Sequence, residues 1–528
     1  MALSPHVIRD KSFESNSSLR CRLAKGRIGY YKKALPIVMI TDKANKTLCS
    51  GQATVPLAKA MLLTAMAGGM GWGIRGQYGH ETGAMIAGVL VASVLVMLFC
   101  SRFNTLSSAR AIAWVTIAIS FGGCMTYGQT VGLTHDEPLV GNTEALRWGL
   151  LGLFIKGGIW IGFAGVTLGL ALGGKRYTAG ELAMMFGGMI FLMFLGIYLL
   201  NEPYQPAENS LPRFYFSDHW DWEPDVELKP RREKWGGLLF ALAGLWVYTG
   251  VIKRDALAFR MGIWGFLGGG LGFSMGQSLQ AFHAWHPEWF VDGFLMKMDR
   301  VINWWNMMET SFGVIFGAVL ALGLWANRHL IKTPQAEPET TEINAPLEWG
   351  LLVIYLLALA SWSFVSFSAL DQFADLAITM GFLPFIAVRA GRLWPLWVCL
   401  PITLLPIAGK TVNNLVYDTR LLSWPAGWLC CLIIPMTIAF FVSLYWSERP
   451  RLFSNGNVFC KSILIITAWT YFLLNFAFFQ FPWPWADFPS WTARTPNNLI
   501  FSVCVLGLTL GALFTRKEKE IEVMPGSD

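Results

Sequence analysis

The chain is 528 residues long, 54% hydrophobic and only 14% charged, with a mean hydropathy of +0.45. Long apolar runs with few or no charges recur from about residue 57 to residue 515, more than a soluble core can hide, so the class is a polytopic membrane protein. The formal charge of +7 sits in short loops and in the first fifty residues, and no pattern for binding nucleic acid is present.

In chain order, residues 1–55 are basic, and their only apolar run, Ala34 to Ile40, is too short to span a bilayer. They read as a disordered cytoplasmic tail. A true start at Met39 and an Arg-rich transit peptide are the other options. The first transmembrane half, 56–330, holds predicted spans near 57–76, 82–101, 109–130, 148–172, 180–200, 235–252, 256–279 and 305–326. A Pro- and Glu-containing cytoplasmic linker follows at 331–346. The second half, 347–515, adds spans near 347–366, 373–389, 393–409, 423–446, 462–481 and 498–515, before a cytoplasmic tail at 516–528. The expected fold is all-α, an integral membrane protein of about 14 transmembrane helices.

Basic residues favour cytoplasmic loops. If Arg20, Arg22, Lys25 and Arg27 start inside, the even-numbered loops carry Arg102 and Arg110, Lys175 and Arg176, Lys253 and Arg254, Arg328 and Lys332, and Arg389 and Arg392. The odd-numbered loops are mostly acidic or aromatic; the largest, 201–234, has eight acids against five bases. Both termini are then cytoplasmic, and the expected location is a bacterial inner (plasma) membrane. None of the nine cysteines falls in a predicted outer loop, so no disulfide framework is expected.

One sentence is written three times in the first half. A basic residue leads through an apolar run to Gly-Gly, then Gly-Gln, with His and acidic residues beyond. The copies are Lys59, Gly68-Gly69, Gly76-Gln77, His80-Glu81; Arg110, Gly122-Gly123, Gly128-Gln129, His135-Asp136-Glu137; and Arg260, Gly269-Gly270, Gly276-Gln277, His283 and His286. The steps from base to glutamine are 18, 19 and 17 residues (59 to 77, 110 to 129, 260 to 277), about the length of one membrane helix. The three leading helices all run inside to outside, and each is followed by a return helix carrying an ionisable group near its outer half: Glu81, Lys156 and Glu309. Parallel helical-hairpin repeats are the expected unit, with Gly187-Gly188 and Gly236-Gly237 marking a degenerate fourth copy.

Gly-Gly pairs in membrane helices serve close packing first, but they also let a helix break at depth and free backbone groups for a ligand. The candidate binding residues are Arg75, Gln77, His80, Glu81, Gln129, His135, Asp136, Glu137, Lys156, Gln277 and Glu309, gathered at one membrane level. Arg75 has the shape for a carboxylate or phosphate. Lys156, at depth in its helix, either snorkels or pairs with Glu309 or Glu81. No metal-ligand spacing and no Walker A motif is present, and no cofactor can be read.

The expected function is a secondary transporter of a small polar or anionic solute, with its site near the outer face. The alternative is a membrane-embedded transferase acting at the outer leaflet on a lipid-linked, polyprenyl-phosphate type substrate. For the latter, His135-Asp136-Glu137 resembles the acidic outer-loop motif of polyprenyl-phosphate-dependent glycosyltransferases, although there the acids follow the first helix and here the third. The partners expected are therefore the lipid bilayer and either that solute or that lipid-linked substrate.

Overall fold

A computed structural model describes residues 55–223, 226–300, 302–333, 342–364, 381–448, 455–480 and 499–515. All belong to the unit Thr54–Asp528. The helices are α1 (Leu57–Arg75), α2 (Glu81–Phe99), α3 (Thr105–Phe121), the short α4 (Gly128–Gly132), α5 (Thr143–Leu172), α6 (Ala179–Leu200), α7 (Trp235–Ile252), α8 (Ala256–Trp285), the short α9 (Gly293–Asp299) and α10 (Trp304–Ala326). Then follow α11 (Ala345–Phe364), α12 (Phe382–Ala390), α13 (Trp394–Asp418), α14 (Trp424–Glu448), α15 (Gly456–Phe478) and α16 (Ile500–Phe514). Among the described residues the protein is helical without strands, and eleven helices are long and apolar enough to cross a membrane. It is a polytopic helical membrane protein.

Glycines set how the helices meet. A Cβ on Gly71 would lie 2.7 Å from Ala87 Cα and one on Gly83 would lie 2.5 Å from the Arg75 carbonyl, which makes α1 and α2 antiparallel. Gly88 against Thr116 and Gly123 against the His80 carbonyl set α3 antiparallel to α2. Trp160 Nε1 donates to the Ile119 carbonyl at 2.6 Å, tying α5 to α3. Next, α5 lies along α8, with the Gly157 and Gly269 carbonyls each against the other glycine and Gly169 against Leu257. Gly272 and Gly276 of α8 meet the carbonyls of Phe312 and Met308 on α10. Finally α10 closes on α1, Gly313 against Gly68 and Gly317 against the Thr64 carbonyl.

The six helices therefore form a closed ring of alternating direction, in the order α1, α2, α3, α5, α8, α10. Inside a bilayer, helix association depends on close van der Waals contact, and small residues permit it. The Gly-Gly pairs serve that purpose: Gly68-Gly69 receive α10, Gly122-Gly123 receive α5 and the start of α2, and Gly269-Gly270 receive α5. The ring is filled by aromatic side chains. Trp72 packs edge-on against Trp160 (4.8 Å), Phe312 (4.5 Å) and Phe316 (5.5 Å). Helix α7 packs on the outside of α5 and α6 packs on α7 and α12, while α11 to α16 cover the side formed by α1, α2 and α3.

Some expected boundaries shift. The third span, expected at 109–130, is a helix only to Phe121; the chain then turns through Gly122–Cys124 and restarts as α4. Here the glycine pair breaks its helix, because Trp160 packs on Gly122 and the His80 carbonyl on Gly123. By contrast α1 and α8 run through their glycine pairs, and α8 continues to Trp285. Gly187 and Gly188 of α6 have no neighbour within 4 Å of an added Cβ and make no such seam. The expected tail 1–55 falls almost wholly, and the 373–389 span and the linker 331–346 each about half, outside the described residues.

Candidate functional site

At the end of the ring where α1 and α3 stop, the Arg75 side chain is buried (2% exposed). Its guanidinium lies over three rings, Trp72 at 4.9 Å, Tyr127 at 5.2 Å and Trp160 at 5.3 Å. An unpaired cation at that depth would cost several kcal/mol. Arg75 Nη1 therefore pairs with Glu309 Oε1 at 3.4 Å, and both its terminal nitrogens donate to the Tyr127 hydroxyl, at 2.8 and 2.7 Å. Tyr127 in turn donates to Glu309 Oε1 at 3.3 Å. Gly76, the first glycine of the Gly-Gln motif, has a structural purpose here, since any Cβ would strike the Glu309 carboxylate. Arg75 Nε and Glu309 Oε2 have no protein hydrogen-bond partner among the described residues.

His80 completes the cluster from the turn between α1 and α2. Arginine can only donate, so His80 Nδ1 accepts from Arg75 Nη2 at 3.3 Å and the ring proton stays on Nε2. One edge of the ring opens on a cavity. The surrounding protein, then Arg75, Lys410 and Arg231, bring its pKa down from 6.5 to about 3. The imidazole is neutral at physiological pH.

That cavity has a volume of about 310 Å³ and lies between the ring and the second half of the chain. The turn Tyr78 to Thr82, Gly123 and Thr126 form its ring side; Trp362, Ser363, Pro406, Lys410 and Asn413 form the other. The Lys410 amino group sits over Gly79 and makes no ion pair among the described residues. A second cavity of about 680 Å³ shares Lys410 and Asn413 and is also lined by Gln77 and Asp418.

Arg75, His80 and Glu309 thus meet, with Glu81 lining the cavity beside them and Gln77 the cavity next door. The other candidates lie elsewhere. Gln129 Nε2 donates to Asp218 Oδ2 and to the Lys229 carbonyl, both at 2.8 Å. Gln277 is buried and donates to Thr134 Oγ1 at 2.7 Å. His135 Nδ1 contacts the Val131 carbonyl and its Nε2 lies 3.7 Å from Asp136; Asp136 and Glu137 are exposed. Lys156 pairs with neither Glu309 nor Glu81. Its ammonium contacts Glu233 Oε1 and Thr130 Oγ1, each at 2.6 Å. Glu309 is taken by Arg75, and the loop 201–234 folds back to bring in Glu233, which also accepts from Ser217, the Phe216 amide and Trp235.

Tyr127, Lys410 and Glu233 are the residues sequence reasoning passed over. Tyr127 carried a signal: it stands two residues before Gln129, as Arg75 stands two before Gln77. Lys410, a base inside the apolar run Trp394–Asp418, carried another. Among the described residues no group of three His, Cys, Asp or Glu side chains could hold a metal. Comparison of the chain with protein-family models, curated proteins and solved structures finds no match.

Proposed function

We propose that the protein is a secondary transporter of a small polar or anionic solute, and that the His80–Lys410 cavity is its binding site near the outer face. The observation that carries this reading is Lys410, a cation without an ion-pair partner among the described residues, facing a cavity backed by the buried Arg75–Glu309 pair. A carboxylate or phosphate oxygen entering there meets the Lys410 ammonium and a neutral His80 Nε2–H. Placement between two helical units fits a solute path along their seam. The finer parts of the reading are fourteen spans, a three-hairpin repeat (α1–α2, α3–α5, α8–α10) and both termini cytoplasmic in a plasma membrane.

A second reading, an outer-leaflet transferase on a lipid-linked substrate, is favoured by the aromatic plug. Trp72, Trp160, Phe312 and Phe316 pack against one another beneath Arg75 and present an aromatic surface on the inward side. Proteoliposome uptake of a panel of small organic and inorganic anions decides between them. Transport predicts uptake of at least one solute, reduced about tenfold or more in Lys410→Gln, roughly the loss of one charge-assisted contact. If every solute is excluded while the protein consumes a polyprenyl-phosphate-linked donor, the transferase reading replaces it.

A further inference from the structure

Three helices of the second half, α13, α14 and α15, each line two cavities in succession. The first is the cavity of about 680 Å³ that shares Lys410 and Asn413 with the His80 site. The second, of about 440 Å³, begins where the first stops. On α14 the lining passes from Trp428 to Cys430, on α15 from Phe478 to Ala477, and on α13 from Lys410 to Leu404. The two differ in character. Among the described residues the deeper cavity has no charged side chain, and only Thr470, Cys430 and Cys431 interrupt its hydrocarbon walls. Ile438 and Leu473, on those walls, are half exposed, so the cavity opens sideways, towards the bilayer.

An apolar gap of this size between membrane helices forfeits the van der Waals contact that holds such helices together, unless hydrocarbon fills it. Its walls are shaped locally as well. Helix α13 has π-helical turns at Val398–Ile402 and Asn413–Asp418, α14 has one at Leu429–Ile433, and each supplies lining residues to one of the two cavities. Such turns are rare and gather at functional sites. The depth fits one chain. Along α15 the apolar lining runs from Ala477 to Ile466, eleven residues (466 to 477) or about 16 Å, close to the roughly 15 Å of hydrocarbon in one leaflet. The Lys410 ammonium, without an ion-pair partner among the described residues, stands at the polar end of that path. An apolar slot one leaflet deep beneath a cation matches a lipid with an anionic headgroup.

We propose that the apolar cavity binds one hydrocarbon chain of a bilayer lipid whose anionic headgroup lies at Lys410. The proposal rests on the reading of the His80–Lys410 cavity as the anion site, and extends the ligand from the anion itself to the chain that the anion carries.

The test uses the full chain in phosphatidylcholine nanodiscs, with either phosphatidic acid or phosphatidylcholine carrying a diazirine in one acyl chain. Photolabelled peptides are then located by mass spectrometry. Phosphatidic acid should label the cavity walls of α14 and α15 about tenfold more than phosphatidylcholine does, the preference given by one charge-assisted contact. Lys410→Gln should bring the two lipids level, and Ile438→Trp, which narrows the sideways opening, should remove the wall labelling. Should Ile438→Trp fail to fold, Leu473→Trp carries the same comparison. Equal labelling by the two lipids in the parent protein means annular lipid only and overturns the proposal. A preference that needs Lys410 but survives Ile438→Trp overturns the chain site and leaves the anion site standing. A preference that survives Lys410→Gln overturns both.

Discussion

Two buried ion pairs near the same end of the ring serve different ends. Lys156 and Glu233 are both shielded from solvent, and every hydrogen bond of the pair is spent inside the protein. This pair fastens the 201–234 loop to the ring. Removing the cation strands a buried carboxylate, which costs about 3–5 kcal/mol. Lys156→Met is expected to lower the unfolding midpoint sharply in detergent, and a second change, Glu233→Gln, to recover part of the loss. A single variant as stable as the parent would show that the pair is not under that constraint. His80 leads to a pH prediction. Its folded pKa of about 3 lies below the ordinary 6.5, so between those values the unfolded chain binds the extra proton and stability falls as pH falls; above 6.5 the term vanishes. The unfolding midpoint should drop on acidification from pH 6.5 towards 4, and His80→Asn should blunt that drop. Parallel curves for the two proteins would refute the assignment.

At the scale of the element, the glycine seams make a test that runs against helix propensity. In a helix interior alanine is favoured over glycine by roughly 1 kcal/mol. At Gly187, where an added Cβ meets nothing within 4 Å, Gly187→Ala should be neutral or slightly stabilising. At Gly269, a Cβ would strike the Gly157 carbonyl of α5, and the overlap costs about 1–3 kcal/mol despite the better propensity. Thermal unfolding of the two variants side by side reads the sign. A stabilised Gly269→Ala would mean that α5 and α8 are not packed this closely. The same distinction explains why Gly187-Gly188 looked like a fourth copy in the sequence. A glycine pair shows that an approach is possible, and only the partner helix shows whether it is made.

For the molecule as a whole, the apolar runs were legible because hydrocarbon thickness imposes one length on every crossing. Closure of the ring could not be read, because α10 on α1 and α5 on α8 are long-range pairings that no local pattern encodes. The same holds for the site. Arg75, His80 and Glu309 stood out in the sequence as ionisable residues at the outer ends of their helices, and their side chains meet. Gln77, Gln129 and Gln277 share a position in the motif yet face three different neighbours, because equivalent helix ends point at different parts of an uneven surround. Lys410 belongs to a helix far along the chain, and its place over Gly79 comes only from packing.

The Arg75–Glu309 pair has a consequence for how the protein is made. The two residues are 234 positions apart, and the carboxylate that neutralises Arg75 lies on the last helix of the ring. During synthesis α1 presents a cation to the bilayer long before its counter-charge leaves the ribosome, and Lys156 likewise precedes Glu233 by 77 residues. Arg75 gains its counter-charge only once α10, the last helix of the ring, brings Glu309 into place.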